Sequence, residues 1–365
     1  MTIMQHYRPT KAIVDLDAIT SNVRQIIDTF PGFTYYQGVV KADSYGLRGP
    51  AVMRAILDGG CNFLCVSLVE EALTARAEFL DVPILIFVPP PAETLPLLRS
   101  QNIAATVATL QQARVAAAVD GLKVHIRVNG GHDLFGGPTA PDEFAALYNT
   151  LRQSKAVIEG IYMHNFDGRN QAATAAEFDV FEAVTAGIDL GEIPVVSTSF
   201  SLTLPWLPRK PYATAARIGN IIYGIENDTM NLKNCFQLLS QVTQVVPLHA
   251  GQSIGYCQAY TAVQDTEFIG VVPIGYGDGF AKNNAGRDVF VNGRRLKIAT
   301  VTMDITLLVG DTSLRPGDEV VLIRDAAHLD EIAEHTGGVA EESISLLNER
   351  VWREYRQGAS SSSAE

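Results

Sequence analysis

Strand-like runs alternate with helix-like segments over the first two thirds of the chain. Most of the runs are apolar at consecutive positions, which is typical of parallel strands covered on both faces. They lie at residues 34–40, 62–69, 83–88, 104–110, 123–129, 157–165, 193–199 and 216–224. Between them, apolar residues recur three and four positions apart, as in the one-sided helices expected at 50–60, 69–79 and 109–121. Eight strand–helix units within about 225 residues match the size of a (β/α)8 barrel.

The structural alternative is a doubly wound open sheet. Such a sheet usually carries a glycine-rich dinucleotide loop after its first strand, and none follows residues 34–40. Residues 15–30 are interpreted as the end of a strand that runs into a helix. The pattern therefore predicts an α/β fold, a TIM-type (β/α)8 barrel over residues 1–232.

From residue 233 onward the pattern changes to short strands separated by turn signals. The candidate strands fall within 238–248, 267–276, 287–303, 305–310 and 319–325, with a hairpin turn at 291–294. Helical pieces are expected at 328–336 and 339–350. These features predict a mostly β C-terminal domain over residues 233–356 and a flexible tail at 357–365.

The charge balance limits the possible partners. The 365-residue chain has 28 Lys and Arg against 40 Asp and Glu, a net charge of −12. Nucleic acids and anionic membranes are bound by basic surfaces, so neither is expected as the main partner. No apolar run approaches the roughly 20 residues that a membrane span needs, and the first residues lack the apolar core of a secretory signal. We therefore expect a cytoplasmic protein.

Four cysteines, Cys61, Cys65, Cys235 and Cys257, are too few and too scattered for a disulfide framework. Cys61 and Cys65 are four residues apart, a spacing that fits neither a CxxC redox motif nor a zinc finger. We expect buried free thiols in a reducing compartment, and no metal site.

Polar side chains cluster where the predicted barrel strands end, which is where barrel enzymes carry their chemistry. They are Lys41, Tyr45, Asn129, His164, Ser197, Thr198, Ser199, Ser201, Arg217 and Gly219. Lys41 directly follows an apolar strand, so its amine is expected to be partly desolvated, with a lowered pKa that makes it available as a nucleophile or base. Its position alone is also compatible with an ordinary lysine whose ammonium group lies in solvent.

The residues around Lys41, VVKADSYG at 39–46, resemble the motif that carries pyridoxal phosphate in the alanine racemase family. Residues 13–26 resemble the opening segment of that family. Later segments match it in the same order, namely ARIGNIIYG at 216–224, GYCQAYTA at 255–262, VVPIGYGDGF at 271–280 and VTMD at 301–304. The resemblance covers residues 11–355 and implies a pyridoxal-phosphate-dependent amino-acid racemase of fold type III, with alanine as the first-choice substrate.

The resemblance implies a role for each polar group around the cofactor. Lys41 would bind pyridoxal phosphate as a Schiff base and would serve as one of two catalytic bases. Amides and hydroxyls would hold the phosphate, and such a site needs little positive charge. The phosphate contacts would come from the Tyr45 hydroxyl, the backbone amides of Gly219 and Asn220, and the hydroxyl of Ser199 or Ser201.

By the same resemblance, Arg217 would face the pyridine nitrogen of the cofactor. An arginine keeps its proton, so that nitrogen would stay unprotonated and the ring would be a weaker electron sink than one paired with Asp. His164 would form a hydrogen bond with Arg217 and hold the guanidinium group in its plane. The alternative for His164 is a barrel histidine with only a structural role.

Tyr256 matches the second base of the family, on the opposite face of the cofactor, and Tyr260 is its competitor within the same motif. Racemisation removes a proton from one face of Cα and returns one on the other, so it suits one base on each side. In the family this tyrosine reaches the active site of the partner subunit, which implies a head-to-tail homodimer with shared sites. Met303 and Asp304 would line the substrate side from that partner, and Tyr276 would stand at the entrance.

Residues 125–137, HIRVNGGHDLFGG, depart from the family pattern. The family's carboxylate-binding arginine is Leu134 here, and its lysine, often carbamylated and negative, is Arg127. Because both charges of the usual pair change together, the loss of the arginine does not leave a buried anion unpaired. We hypothesise that Arg127 contacts the substrate carboxylate or the cofactor phenolate. The alternative is that Arg127 is structural and that the Met303 amide alone holds the substrate.

Other functions stay open at this point. Leu134 and Arg127 also fit a racemase for a larger or basic amino acid. A carrier or sensor of pyridoxal phosphate is the non-enzymatic alternative, but carriers of this fold lack the β domain, whereas this chain keeps that domain and Tyr256. A decarboxylase is disfavoured, because the C-terminal cysteine and acidic pair of those relatives is missing.

Overall fold

Eight parallel strands close into a barrel in the computed structural model, which describes residues 7–131, 136–225 and 230–358. The strands are β2 Tyr35–Val39, β3 Phe63–Val66, β4 Ile84–Ile86, β5 Ile103–Val107, β6 Lys123–Val128, β7 Val157–Met163, β8 Val195–Phe200 and β9 Ala215–Ile218. They pair in chain order, and β9 returns to pair with β2. This closure confirms the predicted barrel and excludes the open sheet.

Helices cover the outside of the barrel, and their apolar faces share one continuous core with the strands. They are α1 Leu16–Thr29, α3 Gly49–Asp58, α4 Val69–Glu78, α5 Leu95–Ser100, α6 Leu110–Ala117, α7 Pro141–Arg152 and α8 Gln171–Thr185. A short turn, α2 Lys41–Tyr45, follows the first barrel strand. Side-chain caps begin several helices, as when Asp15 accepts from the Ala18 amide at 2.8 Å. Within the described ranges, no helix is both long enough and apolar enough to cross a membrane.

The C-terminal part forms a nine-stranded sheet, which confirms the predicted mostly β domain. Its strands after the barrel are β10 Phe236–Gln241, β11 Gln244–Leu248, β14 Glu267–Val272, β15 Asp288–Val291, β16 Arg294–Val301, β17 Thr306–Gly310, β18 Glu319–Ile323 and β19 Trp352–Arg356. A small hairpin, β12 Ser253–Ile254 and β13 Tyr260–Thr261, stands apart from this sheet. Helices α9 Ala326–Thr336 and α10 Glu342–Ser345 complete the domain.

The first strand of the chain, β1 Lys11–Asp15, belongs to the β domain. It pairs antiparallel with β10 and parallel with β19, although the predicted division counted residues 1–232 as barrel. A short apolar run does not reveal which strand it will pair with, so only the tertiary structure assigns it. The position of the division near residue 233 stays a prediction.

The helix expected at 339–350 is much shorter than its pattern suggests. It is confined to Glu342–Ser345, because Asn348 binds a loop of the β domain and does not continue the helix. The Asn348 amide donates to the Asp278 carbonyl at 3.0 Å and its side chain donates to the Gly277 carbonyl at 2.8 Å.

The cysteines divide into three buried thiols and one exposed thiol. Burial raises the pKa of Cys61, Cys65 and Cys235, so these thiols are unreactive. The prediction of a buried thiol is wrong for Cys257, which lies on the exposed turn Tyr256–Gln258.

Candidate active site

A cavity of about 360 Å³ opens at the carboxyl ends of the barrel strands. Most residues predicted to hold the cofactor contribute to its wall, namely Lys41, Tyr45, His164, Ser201, Arg217, Gly219 and Asn220. Arg127 lines it as well. Ser199 is buried on β8, whereas Ser201 reaches the wall just after that strand. Of the two candidate serines, Ser201 is therefore the one that faces the cavity.

Lys41 begins a single left-handed helical turn, α2. The φ angles of Ala42, Asp43, Ser44 and Tyr45 are 52°, 53°, 56° and 56°. This conformation costs a residue with a Cβ roughly 1–2 kcal/mol, so surrounding contacts must stabilise the turn. In return, the turn presents Lys41 and Tyr45 to the same cavity, with the Lys41 ammonium 5.8 Å from the centre of the Tyr45 ring.

The Lys41 side chain is exposed in the single chain, so the prediction of a partly desolvated amine is wrong for this chain alone. Val40, the last residue before the turn, is fully buried. Residues 41–43 at the start of the left-handed turn are exposed, whereas Ser44 and Tyr45 are buried again. Burial is therefore interrupted at the lysine.

Tyr45, Ser201 and Gly219 form a polar corner of the cavity, which we call the anion-binding corner after the kind of ligand that its geometry suits. The buried Tyr45 ring packs on Tyr223 with centroids 4.8 Å apart. A Cβ at Gly219 would lie 2.8 Å from the Tyr45 hydroxyl, so any side chain there would fill the corner. The Gly219 amide donates to the Ser201 hydroxyl at 2.9 Å. Two hydroxyls and one amide thus converge on a small space, an arrangement suited to an anion.

Two buried arginines form the cationic side of the cavity. Arg217 is 4% exposed and Arg127 is 5% exposed. Their guanidinium carbons lie 5.4 and 5.9 Å from the centre of the Tyr162 ring. Arg217 donates through Nε to the Ser197 hydroxyl at 3.1 Å and through Nη2 to the Met163 carbonyl. Because Arg217 is fixed by these bonds, it presents its charge in one orientation.

His164 is a neutral member of the cavity wall. His164 is accessible to solvent in the single chain, and desolvation by the cavity wall together with the positive charges of Arg217, Arg127 and Lys41 lowers its pKa. Its ring packs on Phe200 with centroids 4.8 Å apart. The predicted His164–Arg217 hydrogen bond is not among the bonds between described residues. His164 instead fills space beside the arginine without adding charge.

The predicted residues of the β domain lie outside this cavity. Tyr256 is 82% exposed, Met303 53% and Tyr276 45%. Tyr276 and Met303 occupy neighbouring loops, because the Tyr276 amide donates to the Thr302 carbonyl at 2.9 Å. Asp304 is exposed and pairs with Arg350 at 2.7 Å. We call Tyr256, Tyr276, Met303 and Asp304 the exposed set; within one chain, the cavity wall does not include them.

Tyr260, the competitor of Tyr256, is engaged elsewhere. Its hydroxyl donates to the Glu267 carboxylate. Partial burial and this carboxylate raise the pKa of Tyr260 to about 12, which makes it a poor base at neutral pH. The geometry therefore favours Tyr256 within this motif.

Two acidic residues of the wall were not predicted. Asp167 follows β7, and Glu341 stands just before α10 of the β domain. No local pattern marks Glu341, because only the packing of α10 against the turn α2 brings it to the cavity. Leu134, the other departure from the family pattern, lies outside the described residues.

The fold and the site together define a barrel enzyme in which a lysine amine, an anion-binding corner and two buried arginines share one cavity. Residues 14–227 match the sequence model described as "Alanine racemase, N-terminal domain", and residues 235–355 match "Alanine racemase, C-terminal domain". The chain belongs to the alanine racemase family, and it is an amino-acid racemase.

Similar proteins cover the whole chain. The alanine racemase of Streptococcus gordonii is 30% identical over 367 residues, which are 96% of this chain and 98% of the relative. The crystal structure of alanine racemase from E. faecalis superposes with a TM-score of 0.89 at 30% identity, covering 98% of this chain and 100% of that one. A histidine racemase from Leuconostoc mesenteroides gives a TM-score of 0.86 at 20% identity, covering 97% and 99%. That last likeness shows a shared fold alone.

Proposed function

We propose that this racemase uses pyridoxal phosphate to interconvert L- and D-alanine, with Lys41 and Tyr256 of the partner subunit as its two bases. The observation that carries the proposal is the cavity in which Lys41, Arg217 and the anion-binding corner face one another. The relatives that are about 30% identical and match along their whole length are alanine racemases, which supports alanine as the first substrate.

The residues of the cavity fit pyridoxal phosphate. The anion-binding corner offers the hydroxyls of Tyr45 and Ser201 to a phosphate, with Ser201 held by the Gly219 amide. Lys41 offers an amine to an aldehyde, and Arg217 offers a permanent charge to a ring nitrogen. When bound, the cofactor delocalises the negative charge that develops at Cα as its proton leaves.

The protein's own residues bind the substrate and move the proton. Arg127, buried in the wall, donates hydrogen bonds to the substrate carboxylate and so fixes the direction of the Cα–H bond. Lys41 holds or returns the proton on the D side of Cα. Tyr256 of the partner subunit does so on the L side, as family precedent assigns. Neutral His164 packs on Phe200 beside the arginines and adds no further charge to the cavity.

The exposed set supports a head-to-tail homodimer. It places aromatic and apolar surface on the β domain, outside the cavity of its own chain. A partner that covers the set would bring Tyr256 and Met303 over the second cavity. This arrangement would also desolvate Lys41, whose amine is exposed in the single chain.

Hybrid dimers test the shared site. Lys41→Ala and Tyr256→Phe chains are each expected to be nearly inactive. After joint dissociation and reassembly, a hybrid holds one cavity with both native bases, so mixing should restore about a quarter of the wild-type rate. A Lys41→Ala and Tyr260→Phe mixture provides the control, since Tyr260→Phe alone should stay active. No recovery in hybrids of verified composition would place Tyr256 outside the partner's site.

A larger or basic amino acid is the second candidate substrate. Asp167 and Glu341 line the cavity, and their carboxylates suit a cationic side chain. A coupled assay of the holoenzyme against a panel of L- and D-amino acids separates the candidates, with alanine expected to be fastest. If the cofactor is bound but no amino acid is racemised, the carrier or sensor interpretation replaces both.

A further inference from the structure

The left-handed turn that carries Lys41 is held from outside. Within it, the Ser44 amide donates to the Val40 carbonyl at 2.9 Å and the Gly46 amide to the Ala42 carbonyl at 2.8 Å. Those bonds do not remove the steric conflict of a left-handed turn made of residues with a Cβ. The contacts at its two ends therefore decide whether the turn persists.

The barrel holds the beginning of the turn. The Glu71 carboxylate accepts from the Ala42 amide at 2.7 Å. The same carboxylate accepts from the amides of Ser67 and Leu68 at 2.8 and 3.1 Å, at the start of helix α4. The residue next to Lys41 is thus fixed to the barrel rim.

The β domain holds the end of the turn through Arg353, on the last strand β19. Its Nε and Nη2 both donate to the Gly46 carbonyl, at 3.1 and 2.8 Å. Its remaining bonds go to the carbonyls of Leu347, Asn348 and Val351, at 2.6–2.7 Å. One rigid guanidinium therefore fastens Gly46 to the β-domain backbone.

The partners of Arg353 suggest a geometric role. The side chain is 3% exposed, and none of its hydrogen bonds to the described chain goes to a carboxylate. Burying a guanidinium without an ion pair costs free energy, and burial lowers the pKa of Arg353 to about 10. The two hydrogen bonds from Arg353 fix the position of the Gly46 carbonyl.

We propose that Arg353 is a positioning residue for Lys41, holding the turn in the conformation that directs the amine into the cavity. The proposal rests on the proposed function, since it takes Lys41 as the lysine that binds pyridoxal phosphate. Without Arg353, the Gly46 carbonyl loses both donors and the turn can relax towards the right-handed or extended regions. Lys41 then spends less time in the reactive position.

Arg287 offers a matched control. It is also a buried arginine of the β domain, 6% exposed, and it binds Asn284 and the carbonyls of Asp288 and Leu322. These partners are all in the β domain and none belongs to the turn. Replacing Arg287 removes a comparable buried guanidinium without touching Lys41.

The test compares Arg353→Met, Arg353→Lys and Arg287→Met with the wild type, each as full-length protein whose cooperative unfolding is first verified. Each apoprotein is mixed with pyridoxal phosphate and quenched with borohydride at intervals, and the labelled Lys41 peptide is quantified by mass spectrometry. For Arg353→Met we expect the labelling rate and kcat to fall about tenfold or more, with a much smaller change in KM. Arg353→Lys should recover part of the labelling rate and part of kcat. Arg287→Met should lose stability, but its Lys41 should be labelled at the wild-type rate.

The outcomes separate the two proposals. Wild-type labelling by Arg353→Met would overturn the positioning role. A wild-type protein that is not labelled at Lys41 would instead overturn the proposed function. If Arg353→Met does not fold, Tyr355→Phe takes its place, because the Tyr355 hydroxyl donates to the Arg48 carbonyl at 2.8 Å beyond the same turn. A smaller loss of labelling rate in Tyr355→Phe would support the role, and none would contradict it.

Discussion

The two halves of the proposed site are built differently. In the barrel, Arg217 and Arg127 are 4% and 5% exposed, and hydrogen bonds to the surrounding strands fix Arg217. In the β domain, Tyr256 is 82% exposed on a three-residue turn. A side chain needs burial or hydrogen bonds to be held in one geometry. In the proposed site, one chain would therefore preorganise the cofactor half, while the proposed second base would need a partner to position it.

The β domain nevertheless acts on its own barrel. Arg353 fastens the turn that carries Lys41, and Glu341 lines the cavity of the same chain. In the proposed dimer it would therefore face two sites, its own through α10 and β19 and the partner's through the exposed set. Substitutions in the two groups should differ in whether they act within a chain or between chains.

The largest effect is expected at Tyr256, because its replacement tests whether the exposed half of the proposed site supplies a base. Tyr256→Phe removes the hydroxyl that we propose transfers the proton, so racemisation should fall by roughly 10²- to 10⁴-fold. In heavy water, D-alanine should still exchange its α-hydrogen through Lys41, while L-alanine should not, as followed by proton NMR. Tyr260→Phe is the control and should leave both exchanges near the wild-type rate. Undiminished exchange of L-alanine in Tyr256→Phe would show that the exposed half does not supply the base.

A smaller effect is expected at Arg127 in the buried half. Arg127→Met removes a charge-assisted contact to the substrate carboxylate, so KM for alanine should rise about 10- to 100-fold, with less change in kcat. Arg127→Lys keeps the charge and should fall between Arg127→Met and the wild type. Steady-state kinetics of both directions measure this, and an unchanged KM in Arg127→Met would leave Arg127 with a structural role only.

The sequence predicts the barrel well because strands that are buried on both faces consist of consecutive apolar residues. Each of the eight predicted runs overlaps one of the barrel strands β2–β9. Since a barrel brings the carboxyl ends of its strands to one rim, polar residues within or directly after those runs, such as Lys41, His164 and Arg217, were expected to lie together. The cavity wall includes all three.

What the sequence could not predict depends on contacts between distant segments. The apolar pattern of β1 is typical of a strand, but it does not indicate that this strand pairs with β10 and β19. The left-handed turn has a Cβ at every position before Gly46, so local preference argues against it, and its exit is fixed by Arg353, 307 residues later. The exposure of Lys41 follows from that turn.

The smallest effect is expected at Glu341. Its replacement tests whether a carboxylate of the β domain influences the cavity of its own chain. It precedes α10, which packs on the turn that carries Tyr45. A carboxylate there repels a bound phosphate, and its partial exposure screens the repulsion, so Glu341→Gln should slow the loss of pyridoxal phosphate by about two- to fivefold. The release rate into excess apo-acceptor measures this, and added salt should shrink the difference. Glu342→Gln, an exposed neighbour outside this cavity, should not change the rate. Equal release from Glu341→Gln and wild type would limit the β domain's influence on its own site to holding the turn.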